Sequence, residues 1–474
     1  MQTVIIGAGM GGLSAAIALA ARGERVVVLE KQSGPGGKML PQTIDGTQFD
    51  TGPTVFTMRW VFEELFGLAG QDFADAVDAK PLETLARHGW SGGATLDLFA
   101  DQKRSQDAVG GFAGAEAALQ FRGFMAESKL VYDALEKPFL RAQRPSMLGL
   151  AAGMGFSGMT RISPFESLWK ALQRHFTDPR LRQLFGRYAT YCGSSPFESP
   201  ATLMLIAHVE AMGVWRLTGG MAALAVALEG LAKRLGVEFH YNCGVEQIAV
   251  QNSRVTAVVD QHGVMHSCNA VICNADANAV ATKLFGPEAA LGSSTTASSE
   301  NSLSAITWCL QTKSSGFELA HHTVFFSDDY IREFEELKAG PSIDPTVYVC
   351  DQGEDRKLLL INAPARNHEL DHAFEKHMLV KLSACGLQLE WPSRFVLLRT
   401  PQDFAKLYPA SNGALYGRAS HGWQTTFKRP QARTKVPGLY LAGGSVHPGP
   451  GVPMATLSGM RAAEALLQDR ASTK

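Results

Sequence analysis

The opening thirty residues limit what this chain can become. Val4-Ile5-Ile6 is a β-branched run that reads as a short buried strand. Gly7-Ala8-Gly9-Met10-Gly11-Gly12 follows and fits G-x-G-x-x-G, and an alanine-rich helical pattern runs from Leu13 to about Arg22. Val26 to Leu29 reads as a second buried strand, ended by Glu30. Strand, tight turn, helix, strand and acid is the order of a dinucleotide-binding βαβ unit. In such a unit Gly7 turns the chain out of the strand and Gly9 lets the backbone approach a pyrophosphate. Gly12 then lets the helix pack closely on the strands, with Gly11 between them. The pyrophosphate sits at the helix N-terminus, where free N–H groups and the helix dipole favour negative charge. Glu30, 18 residues after Gly12, is placed to accept hydrogen bonds from ribose hydroxyls. A carboxylate there repels a 2′-phosphate, so FAD or NAD is favoured over NADP.

Bulk properties exclude several classes. At 474 residues the chain has room for two or more domains. Its 44 basic and 45 acidic residues nearly cancel, which leaves no nucleic-acid footprint. No uninterrupted apolar run reaches the roughly 18 residues that a membrane-spanning helix needs. The apolar stretch 4–21 has no Lys or Arg before it and is broken by glycine, so it does not read as a secretion signal. Seven scattered cysteines without C-x-x-C argue against a disulfide framework or a zinc site, and for buried thiols in a reducing cytoplasm. His321-His322 and Ser327-Asp328-Asp329-Tyr330 lack ligand spacing, so no metal is expected.

Past Glu30, residues 31–38 read KQSGPGGK. Gly36 and Gly37 allow the loop to pass close to a cofactor, and Lys38, with Lys31 at the start of the loop, offers charge to a pyrophosphate. A glycine pair and a base just past the acid is a flavoprotein feature and shifts the choice from NAD to FAD. Phe49-Asp50-Thr51-Gly52-Pro53-Thr54 is a turn whose backbone and small side chains suit the neighbourhood of a flat ring. Val55 to Phe66 reads equally as a core helix or as the wall of an apolar substrate channel.

Ala115 to Lys137 predicts an amphipathic helix with Pro138 as its stop. Met147 to Met159 is apolar and uncharged, with Arg141, Arg144 and Arg161 around it. It reads equally as a membrane-interface segment and as a buried glycine-rich helix contact. Phe176 to Tyr191 predicts helix opened by Asp178-Pro179. Trp215 to Met221 introduces a helix to about Leu235. Strands are expected at Gly236–Tyr241, Gly244–Val250, Arg254–Val259 and His266–Cys273, with Val245 offering its backbone to an adenine ring. Farther on, strands are expected at Thr323–Phe326, Thr346–Val349 and Leu358–Asn362, and a helix at Asp371–Cys385.

The chain ends as it began. Gly438 to Ala442 predicts a strand, Gly443-Gly444-Ser445-Val446-His447-Pro448-Gly449 a turn, and the residues from Val452, Pro453 and Met454 to Leu467 a helix. A second strand, glycine turn and helix N-terminus makes another cradle on the phosphate or flavin side. The expected fold is therefore α/β. A discontinuous Rossmann-like FAD-binding domain of the two-dinucleotide-binding-domain type spans 1–75, 216–285 and 432–474. A helical, membrane-facing substrate region spans 76–215, and a mixed α+β substrate domain spans 286–431.

These motifs together resemble the carotenoid desaturases of the phytoene-desaturase-like flavoprotein family. The matching stretches are GAGMGGLSAAIALAARG, Glu30, GPGGK, FDTGPT, the GGM turn at Gly219, LYPASNGALYG from Leu407, and GLYLAGGSVHPGPGVP. Within the family, GPTVFTMRWVFEELF, VFFSDDYIREF and DPTVYVC look most like the 1-hydroxycarotenoid 3,4-desaturases. The C-terminal turn departs from the family's GAGTHPG, but Ser445 is small and polar and His-Pro-Gly is intact.

The resemblance implies noncovalent FAD, since the Ser-Gly-Gly-Cys of covalent-flavin amine oxidases is absent. It also implies removal of two hydrogens from adjacent carbons of a long polyene, with flavin N5 as hydride acceptor, in carotenoid biosynthesis. No catalytic side chain is assigned. Phe56 belongs to the expected apolar wall, and Arg59, Asp328 or Tyr330 is the expected contact of a terminal substrate hydroxyl. The lipophilic carotenoid implies peripheral attachment to the inner or intracytoplasmic membrane from the cytoplasm. The electron acceptor, oxygen or a quinone, stays open. Other outcomes of the same architecture are a phytoene desaturase, a carotene isomerase, a carotenoid oxidase, or a non-catalytic binder of prenylated proteins of the escort and GDP-dissociation-inhibitor type.

Overall fold

Five short parallel strands form the first sheet, and residue alternation along them decides what packs on each face. The structure, a computed structural model, describes residues 2–44, 46–146, 165–293, 300–366, 373–391 and 396–472. Across the sheet the strands run Leu439–Leu441, Ala270–Cys273, Gln2–Ile6, Arg25–Leu29 and Glu238–His240, each parallel to its neighbour. Ile5, Val26 and Val28 face one side and join the core of the helices Met10–Ala20, Gly220–Arg234 and Val452–Ala471. Val4, Ile6, Val27 and Leu29 face the other. There they meet Ile248, Val255 and Val258 of a three-stranded antiparallel sheet, Val245–Gln251, Arg254–Asp260 and Met265–Ser267. A sheet buried on both faces explains why its strands read as continuous apolar runs. The stretch 266–273, expected as one strand, is two: Met265–Ser267 ends the antiparallel sheet, and Ala270–Cys273 belongs to the parallel one.

The second large sheet has seven strands. Their order is Val396–Arg399, Ser304–Gln311, Arg356–Ala363, Val347–Gly353, His322–Phe325, Thr84–Gly89 and Thr95–Phe99. Pairing is antiparallel except where His322–Phe325 lies parallel to Thr84–Gly89. One face carries Ile306, Trp308, Val349 and Leu359 against Phe374, Met378 and Leu382 of the helix Ala373–Ala384. The other presents Tyr348, Leu358 and Leu360 to a large cavity.

The region 76–215, expected to be helical, therefore contributes two strands to this sheet. Leu96 and Leu98 are buried while Asp97 between them pairs with Arg87. The partner strand that completes the pattern lies more than 200 residues away, and no local periodicity reveals it. The rest of the region is mostly helical. Ala115–Leu135 is one helix, and Pro138 sits inside the π-helical turn Glu136–Leu140 that follows, not at the stop itself. Asp178 caps the helix Pro179–Gly186 by accepting from the Arg180 N–H. The stretch 55–66 becomes the helix Arg59–Leu68, whose Val61, Phe62, Leu65 and Phe66 are core. Thr54, Val55, Thr57 and Met58, just before it, line the cavity. Met147 to Met159 lies outside the described residues. Among those described, no helix is long and apolar enough to cross a membrane.

Candidate active site

The fingerprint glycines do what their spacing implied. A Cβ on Gly12 would stand 1.9 Å from the Gly7 carbonyl oxygen, so only glycine lets the helix Met10–Ala20 meet the first strand. Gly9 caps that helix without any side chain, which leaves the first-turn N–H groups open to the cavity. Glu30 is buried at the end of the second strand. Its Oε2 accepts from the Ala8 N–H at 2.6 Å and its Oε1 from the Gln32 N–H at 2.8 Å. The acid thus holds the fingerprint turn in shape while lining the cavity.

Sequence reasoning missed Asn274, at the end of the strand Ala270–Cys273. Its amide lies against the fingerprint, and with the oxygen turned inward it accepts from the N–H groups of Gly9 at 3.3 Å and Gly12 at 3.2 Å. Only the parallel pairing of that strand with the first one brings it there.

The two lysines of KQSGPGGK have partners in the protein. Lys31 donates to the Leu407 carbonyl and Lys38 to the Leu415 carbonyl, and both stand over the Tyr408 ring. They tie the segment LYPASNGALYG to the nucleotide-binding side. Burial pushes the Lys38 ammonium below its ordinary pKa, opposed by the charge of Asp276. Asp50 of FDTGPT accepts from the Met221 N–H at 2.8 Å and the Ala222 N–H at 3.3 Å. It caps the helix Gly220–Arg234 from across the fold, so FDTGPT and the GGM turn form one unit.

All of this surrounds a cavity of about 980 Å³. Gly7, Gly9, Gly11, Glu30, Lys31, Gly37, Lys38, Gly52, Pro53, Thr54 and Val245 line it, as do Gly443, Gly444, Val452, Pro453 and Met454 from the end of the chain. Two helix N-termini, those of Met10–Ala20 and Val452–Ala471, open on it. A Cβ on Gly11 would stand 2.5 Å from the Asn274 side-chain amide and 2.8 Å from the Gly443 backbone N, so the two motifs meet across a narrow gap closed by Asn274. This glycine cradle, two helix N-termini and a buried acid beyond the first turn suit a dinucleotide.

Four expected site residues do not line the cavity. Gly12 is under the Gly7 turn. Phe56 packs in an aromatic core with Phe62, Phe73 and Trp215. Arg59 pairs with Glu63 at 2.8 Å, and Asp328 with Lys381 at 3.0 Å. Arg59 and Asp328 are therefore corrected as contacts of a substrate's polar end, because their charges are matched elsewhere. Tyr330 does line the cavity, and its buried hydroxyl has no hydrogen-bond partner among the described residues.

The rest of the cavity wall is largely apolar: Leu135, Phe139, Leu140, Leu203, Ile206 and Val209 face Leu358 and Leu360. A hydrogen-bonded polar group is set into it. Tyr188 and Tyr191 each donate to Glu210 at 2.7 Å, and Arg187 donates to the Tyr191 hydroxyl at 3.1 Å. Burial raises the Glu210 carboxyl above its ordinary range. Beside them the Tyr348 hydroxyl bonds Thr54 at 2.6 Å and His322 Nδ1 at 2.7 Å. His321, His322 and Cys350 also converge, because strand pairing sets His322 opposite Cys350. The only local signal for this group was an arginine in an otherwise aromatic and apolar run, GRYATYC.

Comparison with known proteins decides the family. The profile of the flavin containing amine oxidoreductases matches residues 10–309 and 397–467. The chain is 45% identical to the hydroxyneurosporene desaturase of Rubrivivax gelatinosus, over 100% of this chain and 94% of that protein. The chain belongs to the carotenoid-desaturase branch of the flavin-containing amine oxidoreductases. A 1-hydroxycarotenoid 3,4-desaturase from a Flavobacterium species is more distant, at 31% identity over 96% of this chain and 97% of that protein. Among solved structures, putrescine oxidase bound to putrescine covers 99% of each chain at a TM-score of 0.60 and 16% identity, a likeness of fold alone. As a member of this family the chain is a flavin oxidoreductase whose cofactor is FAD. The residues that would hold it are the fingerprint glycines, Glu30, Val245 and the turn from Gly443 to Met454.

Proposed function

We propose that this enzyme introduces the C3–C4 double bond into acyclic 1-hydroxycarotenoids of the 1-hydroxyneurosporene and methoxyneurosporene type. The observation that carries this reading is a cavity of about 980 Å³ that joins a dinucleotide cradle to a largely apolar wall, with the Arg187, Tyr191 and Glu210 group set in it. The close relative named for hydroxyneurosporene supports the substrate class.

Noncovalently bound FAD supplies the two-electron acceptor. The protein's own part is to position and to exclude water. Leu135, Phe139, Leu140 and Ile206 hold a substrate with almost no polar atoms, and they keep solvent from a carbon that becomes cationic. A polyene spreads that charge itself, so the wall needs no counter-charge, and no side chain is assigned as acid or base. Thr54, hydrogen-bonded to Tyr348, and the Gly52-Pro53 turn fix the cavity between the cradle and the polyene.

The enzyme works peripherally at the membrane that stores its substrate, on the cytoplasmic side, with Met147 to Met159 as the docking segment. Two observations support this. Phe165, six residues past Met159, is 70% exposed. Its ring meets Trp423, which lines the cavity, at 5.1 Å. Oxygen or a membrane quinone takes the electrons onward. The division into an FAD-binding domain, a membrane-associating region and a substrate domain follows the same logic, with the 84–99 strand pair assigned to the substrate sheet.

Pigment analysis tests the reading in cells that accumulate 1-hydroxyneurosporene, with and without the gene. A red-shifted product two hydrogens lighter is expected. Conversion of phytoene in a parallel strain, with 1-hydroxyneurosporene untouched, would overturn the assignment in favour of a phytoene desaturase. A product of unchanged mass would indicate an isomerase.

A further inference from the structure

Arg187 lines the cavity beside its apolar wall, and among the described residues no carboxylate stands within 4 Å of it. It opens the 3₁₀ turn Arg187–Cys192, directly after the helix Pro179–Gly186. One guanidinium nitrogen donates to the Tyr191 hydroxyl at 3.1 Å. The group lies between two rings, 5.0 Å from the Tyr191 centroid and 5.4 Å from that of Tyr348. Glu210, the nearest acid of this cluster, is already bonded at both oxygens by Tyr188 and Tyr191. The tyrosines therefore fix the arginine in place without quenching its donors. Tyr330 packs against Gly186, next in the chain to Arg187, and brings a second buried hydroxyl without a partner to the same cavity. Tyr191 engages one guanidinium nitrogen, so the other donors are open to an acceptor oxygen in the cavity, and leaving them unmet away from water has a cost.

We propose that Arg187, oriented by Tyr191 and Glu210 and assisted by Tyr330, is the specificity residue that binds the oxygen on the substrate's end group. The inference rests on the desaturase reading and deepens it. Arginine only donates, and a tyrosine hydroxyl can turn to donate, so the site reads an acceptor oxygen. A hydroxyl and a methyl ether satisfy it alike. A hydrocarbon end leaves the guanidinium buried and unanswered, so the unsubstituted polyene is disfavoured by roughly ten- to hundredfold, the range of a hydrogen bond to a charged group.

The test uses the FAD-loaded enzyme with three polyenes of equal length carried in vesicles: hydroxylated, methoxylated and unsubstituted. Arg187→Met removes the donors at similar volume, Arg187→Lys keeps a donor and a charge, and Tyr330→Phe removes the second hydroxyl. For Arg187→Met, the preference for oxygenated over plain polyene should fall roughly ten- to hundredfold, with the loss carried in KM for both oxygenated substrates. Arg187→Lys should recover part of it, and Tyr330→Phe should lose a smaller part. FAD content and the oxidised flavin spectrum should match wild type.

Equal losses on all three polyenes, or an altered flavin spectrum with the preference intact, would overturn the proposal and make Arg187 a support of the fold or of the flavin. Binding is read separately, by quenching of tryptophan fluorescence. A wild-type protein that turns over none of the polyenes yet binds the oxygenated pair more tightly would end the desaturase reading and keep the anchor. Equal binding of all three would end the anchor.

Discussion

Asp50 binds the Met221 and Ala222 N–H groups, and its own backbone exchanges two hydrogen bonds with the Gln352 side chain, at 3.1 and 2.9 Å. One residue thus ties the helix Gly220–Arg234 to a strand of the second sheet. Asp50→Ala removes a remote helix cap and should cost about 1 kcal/mol, seen as a lowered Tm, while Asp50→Asn should cost less. His447 is one of the buried histidines that make the fold acid-sensitive. Burial pushes its imidazole down to about 4, and its Nε2 donates to the Ala142 carbonyl at 2.9 Å. The unfolded chain takes the proton near pH 6.5, from the ordinary value, and the folded chain only near 4. Stability from neutral His447 is therefore complete above 6.5 and is lost as pH falls toward 4. Glu333, pushed up to about 7 by burial, works in the opposite sense between 4.5 and 7. Glu333 is present in both wild type and His447→Gln, so comparing the two isolates His447. The variant's Tm should fall less between pH 6.5 and 4; parallel curves would contradict the assignment.

At the scale of elements, the sequence was most legible where one element explains itself. The strands Gln2–Ile6 and Arg25–Leu29 are β-branched because both faces are covered. The fingerprint helix follows a turn that only glycine can make. The strand pair Thr84–Gly89 and Thr95–Phe99 was illegible, because its reason is the distant strand His322–Phe325. The polar group around Arg187 was illegible for the same cause: Arg187 and Glu210 come together only when the 3₁₀ turn and the helix Leu205–Ala211 pack. Asn274 reads as the tail of a strand until parallel pairing sets it under the fingerprint. Arg59 and Asp328 were expected to meet a substrate hydroxyl, and their partners Glu63 and Lys381 were invisible as such in the sequence. Met147 to Met159 lies outside the described residues and stays a proposal from sequence. Leu150→Asp with Phe156→Asp should reduce the partition of the protein onto anionic liposomes severalfold while leaving Tm unchanged. Unchanged partition would remove the segment as the docking element.

Over the whole molecule, three distant stretches of chain assemble the nucleotide-binding side, and the second sheet closes the cavity against it. Cradle and apolar wall share one space, so the cofactor and a long polyene meet without a further domain. In that space the bound FAD takes two electrons from the polyene. That transfer is tested most directly by anaerobic single turnover: purified FAD-loaded enzyme, 1-hydroxyneurosporene in vesicles, no acceptor, and products separated and weighed by mass. The expected yield is one molecule two hydrogens lighter, with its new bond at C3–C4, for each bound FAD, rising only when oxygen or a quinone is admitted. Products that exceed the bound FAD before any acceptor is present, or that keep the mass of the substrate, would contradict it.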